Sequence, residues 1–519
     1  MENLFLGQNP HKNKHKPRIV KPIYLKDSVF AYDLWEFKKH PKYDSYEVSS
    51  LYYEGIRQFI ESCNFFKKEL SEKSHVYIKD VDGIIEEVTP ERMNDEIRSY
   101  VDNLKGNINF EYNGQSYSIP SETLKNIYLK QYNNIFNQNW LTNIQIHDKP
   151  MLKDEENKSY FVFNDCYVEV TKKGVKKKNL TELKGKCVWK DQVINHNFED
   201  SKSEEQGEFE KFIANVCNHE EDRIKALYSA IGYLLHNFFS PSNGKAVILY
   251  DEALATRITP NGGTGKGVIA NAIKLLRFIA KIDGKQYKSD DKFKWSNVNP
   301  STQLVWIDET SKEFDFKDLF SCLTDGWSVE RKYQNKFEIA PDDSPKVLIC
   351  SNTILSNKGG SNLRRQFIVE LSDYYSKKII KGTEEPIKEE HGILFSKDWS
   401  FDEWNKFYSF MLECSLLYLR DGLCDYKKKN VEINLLMQCT CEEFMEYINS
   451  TPPPLNENLD IKTMFNTFKI GYLGDDTRIV QRTFTNYLKR YCEAYNLEFK
   501  QTSKYNGNPV YQIMEKFGE

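Results

Sequence analysis

One segment constrains this chain more than any other: a buried strand that runs into a glycine-rich loop and then a helix. Ala246-Val247-Ile248-Leu249-Tyr250 is uninterrupted apolar sequence. A short connection leads to Pro260-Asn261-Gly262-Gly263-Thr264-Gly265-Lys266-Gly267, and an Ala/Ile/Leu-rich helix follows. Glycines let successive backbone N–H groups turn inward around phosphates. The helix N-terminus adds partial positive charge, and the lysine reaches the β/γ-phosphates. The segment departs from G-x-x-x-x-G-K-[ST] twice. Pro260 stands where the first glycine belongs, and Gly267 stands where a hydroxyl would bind Mg²⁺. A glycine-rich turn that contains a lysine is common in itself, so the downstream segments decide the reading.

Three of them follow in order, each at a strand end. Leu304-Val305-Trp306-Ile307 runs into Asp308-Glu309. On such a strand the first acid can orient the Mg²⁺ shell and the second can polarise a water for attack on the γ-phosphate. Lys346-Val347-Leu348-Ile349-Cys350 ends in Ser351-Asn352, whose amide can hold that water. Arg364-Arg365 follows a Gly359-Gly360-Ser361 loop and precedes the strand Gln366–Leu371. An arginine there can stabilise transferring phosphate charge in a neighbouring subunit. Short β-branched runs alternate with helices from 245 to 372, which predicts a mostly parallel sheet.

The order of these segments resembles the superfamily 3 helicases, AAA+ motors of phage, plasmid and virus replication. It is more similar still to the helicase halves of primase–helicase proteins of mobile elements. There the Gly-Thr-Gly-Lys loop, an Ile-Asp-Gly-Lys segment (here Ile282–Lys285), an Asp-Phe-x-x-Leu-Phe segment (here Asp315–Phe320) and Ser-Asn recur in this order. The resemblance implies an α/β AAA+ P-loop core, ATP hydrolysis with Mg²⁺, a homo-oligomeric ring that is usually a hexamer, and movement on single-stranded or forked DNA. It carries phosphate binding to Gly262, Gly263, Thr264, Gly265, Lys266 and Gly267, with Lys266 as the cation. Asp308 becomes the metal acid, Glu309 the catalytic acid and Asn352 the sensor, and Arg364 or Arg365 the finger. A separate primase is an expected partner, because no primase acid triad is found. Two rivals stay open: an AAA+ motor that remodels DNA without separating strands, and a DNA-binding scaffold whose nucleotide site has decayed.

Two further segments carry nucleic-acid signals. Val329–Ile339 alternates and carries three cations, Arg331, Lys332 and Lys336, around Tyr333 near a Gln334-Asn335 turn, which resembles a pore hairpin. Cations can grip phosphates there and an aromatic can stack on bases. Near the C-terminus, Thr483 is expected to cap a helix with Phe484, Tyr487, Leu488, Tyr491 and Tyr495 on one face and Arg482, Asn486, Lys489 and Arg490 exposed. A hairpin turning at Asn506-Gly507 follows. Helix then hairpin predicts a winged-helix-like domain.

The rest of the chain sets bounds. At 519 residues it predicts about three or four domains. Their expected limits are an α+β N-terminal region with a basic arm (1–205), a helical oligomerisation segment (206–244), the ATPase core (245–375), a helical connector (376–425) and the C-terminal domain (426–519). A net charge of −4 excludes holding nucleic acid by bulk charge. The 11 cysteines include no C-x-x-C pair, so zinc-site spacing is absent. His11 and His15 fall among lysines of the basic arm, not in a metal site. No apolar run is long enough for a membrane helix, and no signal core opens the chain, so a cytoplasmic location is expected. Asp80-Val81-Asp82-Gly83 offers a D-x-D metal pair or a hairpin turn, and Asp-Gly favours the turn.

Overall fold

The computed structural model describes residues 23–515 except 26–27, 33, 44, 72–73, 113–114, 184, 201–204, 241–243, 253–262, 312–313, 333–335, 353–354, 356–359, 474–478 and 506–507. The basic arm, Pro260, Asn261, Gly262, Tyr333, Gln334-Asn335, Gly359 and the Asn506-Gly507 turn therefore lie outside the described residues. The fold is mixed α/β with several sheets, one of them five-stranded and all-parallel.

Near the N-terminus, short antiparallel sheets and the helices Tyr53–Ser62, Pro90–Asp102 and Ser121–Gln131 share one core around Trp35, Ile56, Met93 and Leu124. Pro90 occupies the first helical position, and the Thr89 hydroxyl accepts the Arg92 N–H at 3.4 Å, as a cap should. The D-x-D segment is a hairpin turn. Val81 pairs with Ile84, and Asp82 and Gly83 both take positive φ (56° and 88°). The Asp80 carboxylate accepts from Lys149 Nζ (2.6 Å) and the Gly83 N–H (2.7 Å), and it contacts His147 Nε2 (2.9 Å). Its bond to Gly83 closes the turn, and its other contacts tie the turn to Lys149 and His147.

Lys158–Phe163, Cys166–Thr171 and Gly174–Asn179 form an antiparallel meander. It shares a core with the helices Glu208–Val216, Glu221–Leu235 and Phe401–Asp421 and with one face of the parallel sheet. The apolar pattern of 208–239 reads as one helical stretch, but the chain breaks at Asn218 and His219, both left-handed (φ 53° and 57°). Gly232 lets Glu221–Leu235 press on Phe401–Asp421: a Cβ there would sit 2.0 Å from the Cys414 carbonyl oxygen. Ser400 caps the latter helix through the Glu403 N–H, and Gly422 (φ 73°) ends it.

The parallel sheet has the order Ile279–Asp283, Leu304–Asp308, Lys346–Cys350, Ala246–Asp251, Gln366–Leu371. Alternate side chains reach opposite faces. Leu249, Trp306 and Cys350 meet the helix Lys266–Lys274 on one face. Ile248, Ile307 and Ile349 meet Trp295, Leu319 and Trp327 on the other.

The C-terminal cluster runs Glu442–Ser450, Asn458–Leu459, Ile461–Phe468, Gln481–Ala494, Leu497–Tyr505, Asn508–Glu515 around Phe444, Phe468, Phe484 and Ile513. Thr483 does not cap its helix. The Val480 carbonyl already accepts the Phe484 N–H at 3.1 Å, so the helix has begun at Gln481 and Thr483 lies within its first turn. Among the described residues no helix is long and apolar enough to cross a membrane.

Candidate functional site

The carboxyl ends of the parallel strands bring the expected residues of the nucleotide loop and the acids to one side of the sheet. Leu249, Cys350 and Asp308 lie side by side in register, so their side chains share a face. Asp251, two residues beyond Leu249, points the same way, onto the face that the helix Lys266–Lys274 covers. Cys350 Sγ lies 3.9 Å from the Lys266 carbonyl oxygen. Burial pushes the Cys350 thiol up to about 12; Asp308 and Asp251 push the same way and Lys266 opposes them.

The loop itself is wedged between two helices. Gly265 is left-handed (φ 101°), and a Cβ there would fall 2.5 Å from Phe212 Cζ of Glu208–Val216. Gly263 (φ 76°) presses on Ile379 of Tyr374–Ile380. Lys266 opens the nine-residue helix. Its Nζ donates to Asp251, as does the buried Thr264 hydroxyl, and Lys266 Nζ lies 3.4 Å from Thr264 Oγ1. The Lys266 and Asp251 side chains are only 11 % and 13 % exposed. A Cβ on Gly267 would meet nothing within 4 Å.

At the acid strand, Asp308 pairs with Lys281 at 2.7 Å, and the same ammonium lies 4.1 Å from the Trp306 ring centroid. Glu309 is half exposed, left-handed (φ 54°) and paired with Lys285. Its N–H donates to the Cys350 carbonyl at 2.9 Å. Gly284 packs under this turn, its N–H 2.7 Å from the Asp308 carbonyl, and a Cβ there would lie 2.8 Å from that oxygen. The buried hydroxyls of Thr310 and Ser351 bond each other at 2.5 Å and tie the two strand ends together. Asn352 is exposed just beyond. Arg364 is exposed, whereas Arg365 lies 4.6 Å from the Phe320 ring and donates to the Ser361 carbonyl at 3.3 Å.

The chain is similar to solved structures of the NrS-1 C terminal region. One, an A form apo structure, has 12 % identity, covers 89 % of this chain and 98 % of that one, and gives a TM-score of 0.38. Another, the apo structure of residues 305–718, has 12 % identity, covers 88 % and 98 %, and gives 0.36. No known protein family matches the sequence, and no curated protein matches it.

The strands Trp327–Val329 and Phe337–Ile339 pair antiparallel as the alternation predicts. Arg331 is not part of the exposed tip. It donates to the carbonyls of Ser296 (3.3 Å) and Val298 (2.9 Å) and lies over Phe337. Trp295 meets Trp327 edge-on at 4.9 Å. The hairpin and the segment 285–298 are therefore one body. Lys332 is exposed, 5.9 Å from the ring of Phe293, which is itself 36 % exposed between Lys292 and Lys294. Lys336 is exposed and lies 3.8 Å from Glu338. On Gln481–Ala494, Lys489 is exposed, and Arg490 is half-buried and paired with Glu493 at 2.9 Å.

Sequence reasoning missed Asp251, the pairing of Lys285 with Glu309, and Phe293. The usable signals were an acid closing the apolar strand before the loop and an aromatic set between two lysines.

Proposed function

We propose that this chain is an ATP-hydrolysing, ring-forming motor that moves on single-stranded DNA and separates strands during replication of a mobile element. In this reading the parallel sheet is an AAA+ P-loop core and the C-terminal cluster is a winged helix. The observation that carries the proposal is the convergence of Lys266 and Asp308 on one sheet face at the strand ends, with Glu309 and Asn352 flanking. Open α/β sheets bind ligands at their carboxyl ends, and a glycine loop followed by a helix N-terminus suits phosphates.

The donor set fits Mg²⁺ held mainly by phosphate oxygens. Among the described residues no group of three or more His, Cys, Asp or Glu side chains could hold a metal, and Mg²⁺ in phosphoryl transfer needs only one or two carboxylates. Asp308 would hold it, and when bound it neutralises charge on the β- and γ-phosphates. Lys266 leaves Asp251 to take phosphate oxygens. Glu309 leaves Lys285 to accept a proton from the attacking water, which Asn352 orients. Arg364, exposed where Arg365 is packed into its own chain, is the finger for the neighbouring subunit. Lys332 and Phe293 supply a phosphate contact and a stacking face for the strand.

ATP turnover with and without single-stranded DNA, in the parent and in Lys266→Ala, tests the proposal. Turnover in the parent, raised by DNA and lost in the variant, is expected. Turnover that survives Lys266→Ala removes the loop from the reading. Absence of turnover in the parent leaves the scaffold reading, which the missing hydroxyl at Gly267 favours.

A further inference from the structure

The nucleotide lysine is already neutralised by an acid from its own sheet. Asp251 closes the strand that leads into the loop, and it accepts hydrogen bonds from Lys266 Nζ and the Thr264 hydroxyl. Both charged side chains are nearly closed off from solvent. If phosphates take Lys266, a shielded carboxylate is left beside a polyanion. An uncompensated charge in such a place is costly unless a counter-charge arrives. Two features say which counter-charge fits. Asp251 and Asp308 share the face that the helix Lys266–Lys274 covers, at the ends of the two strands that flank Lys346–Cys350. The position that would offer Mg²⁺ a hydroxyl is Gly267, where a side chain has open space and none is present.

We propose that Asp251 is the loop-side group that orients the nucleotide's divalent cation, in place of the hydroxyl that Gly267 lacks. Hard, oxygen-seeking Mg²⁺ accepts a carboxylate readily, directly or through a bound water. The pair with Lys266 then keeps Asp251 neutralised until phosphate and metal arrive together. This assignment rests on the nucleotide-loop reading above.

The test is ATP binding by the full chain, measured by calorimetry in Mg²⁺ and in EDTA, with Mn²⁺ paramagnetic resonance as a readout independent of turnover. In Asp251→Asn, Mg²⁺ should lose its power to tighten ATP binding, and Mn²⁺ affinity in the ATP complex should fall roughly 10- to 100-fold, as when a metal's supporting ligand is removed. In EDTA the same variant should bind ATP at least as tightly as the parent, because a negative charge has gone. Asp251→Glu should keep the metal dependence, and Gly267→Ser in the Asp251→Asn background should restore it. Equal tightening of ATP binding with and without metal overturns the proposal and makes Asp251 a plain counter-ion. Loss of ATP binding in both conditions, with the circular dichroism unchanged, also overturns it and makes Asp251 a support of the loop. If Asp251→Asn does not fold, loss of the metal dependence in Asp251→Ser, with EDTA binding kept, supports the assignment, and its retention overturns it. Failure of the loop reading itself looks different: Lys266→Ala would then leave ATP binding unchanged in every condition.

Discussion

Glu309 spends backbone energy to stand where it does. A left-handed residue without glycine's freedom costs about 1 kcal/mol or more, and such strain gathers at working sites. Glu309→Gln keeps size and removes the proposed base, so ATP binding should persist while turnover falls roughly 10²- to 10⁴-fold. Wild-type turnover in that variant would move the base elsewhere. Lys346 shows the opposite bargain, a charge buried at a strand start. Burial pushes its ammonium down to about 8 and the Asp154 charge opposes this; the ammonium donates to the Phe238 carbonyl (2.7 Å) and lies 4.5 Å from the Tyr233 ring. Its folded pKa lies below its unfolded one, so the unfolded chain binds more protons between them and stability rises with pH across that window. Below pH 8 the penalty is complete. Lys346→Met should therefore stabilise the fold by on the order of 2 kcal/mol at pH 7, net of the lost hydrogen bond. The gain should shrink towards zero by about pH 10, which urea unfolding at the two pH values reads. An equal gain at both values would mean that the lysine's charge is not what costs. At this scale the sequence was informative where chemistry is local. Lys266, Asp308 and Glu309 stand out by their neighbours in the chain, whereas the Asp251–Lys266 and Lys285–Glu309 pairs need folding to bring distant residues together.

Elements were legible by period and opaque at their joints. The strands about 160–178 follow from alternation, and the helix Phe401–Asp421 from its amphipathic period and the Gly422 that ends it. The break at Asn218-His219 did not follow, because apolar spacing continues across it and only the left-handed backbone reverses the chain. Thr483 misled for a related reason: a cap residue is persuasive in sequence, but the backbone bond from Phe484 to Val480 fixes the start. The hairpin illustrates what tertiary structure adds. Alternation gives the two strands, and only the Arg331 bonds and the Trp295–Trp327 contact join them to segment 285–298 and bring Phe293 beside Lys332. Lys332→Ala should weaken single-strand binding and make its salt dependence shallower by about one phosphate contact. Phe293→Ala should cost about 1–3 kcal/mol of single-strand binding through lost stacking, with the salt slope unchanged. DNA-free turnover should survive in both, since the proposed nucleotide site lies at the strand ends. Unaltered binding in both variants would reduce the hairpin to a solvated surface.

For the whole molecule, the question is how one chain's site is completed. The last module is attached firmly: the fully buried Glu370 accepts the N–H groups of Lys429 (2.6 Å) and Asn430 (2.8 Å), and the Asn430 amide donates to the Glu252 carbonyl. The chain leading to the C-terminal cluster is thus clamped on the residue after Asp251, the partner of Lys266. The adjacent arginines differ in what they are free to do. Arg365 packs on Phe320 and bonds back to Ser361 in the helix Gly360–Arg365, so Arg365→Ala should lower stability by roughly 1 kcal/mol through lost packing of its stem. Arg364 is exposed, and its carbonyl accepts the Lys245 ammonium at 2.8 Å, which fixes the backbone beneath it. Arg364→Ala should therefore fold as the parent does and lose hydrolysis by about 10³-fold or more, the scale of a missing finger. Mixed with Lys266→Ala protein it should regain activity, because some sites then combine an intact loop from one chain with an intact arginine from the next. Arg365→Ala should not behave in this way. If mixed rings form and no activity returns, the arginine acts within its own subunit and the ring is not needed for the chemistry.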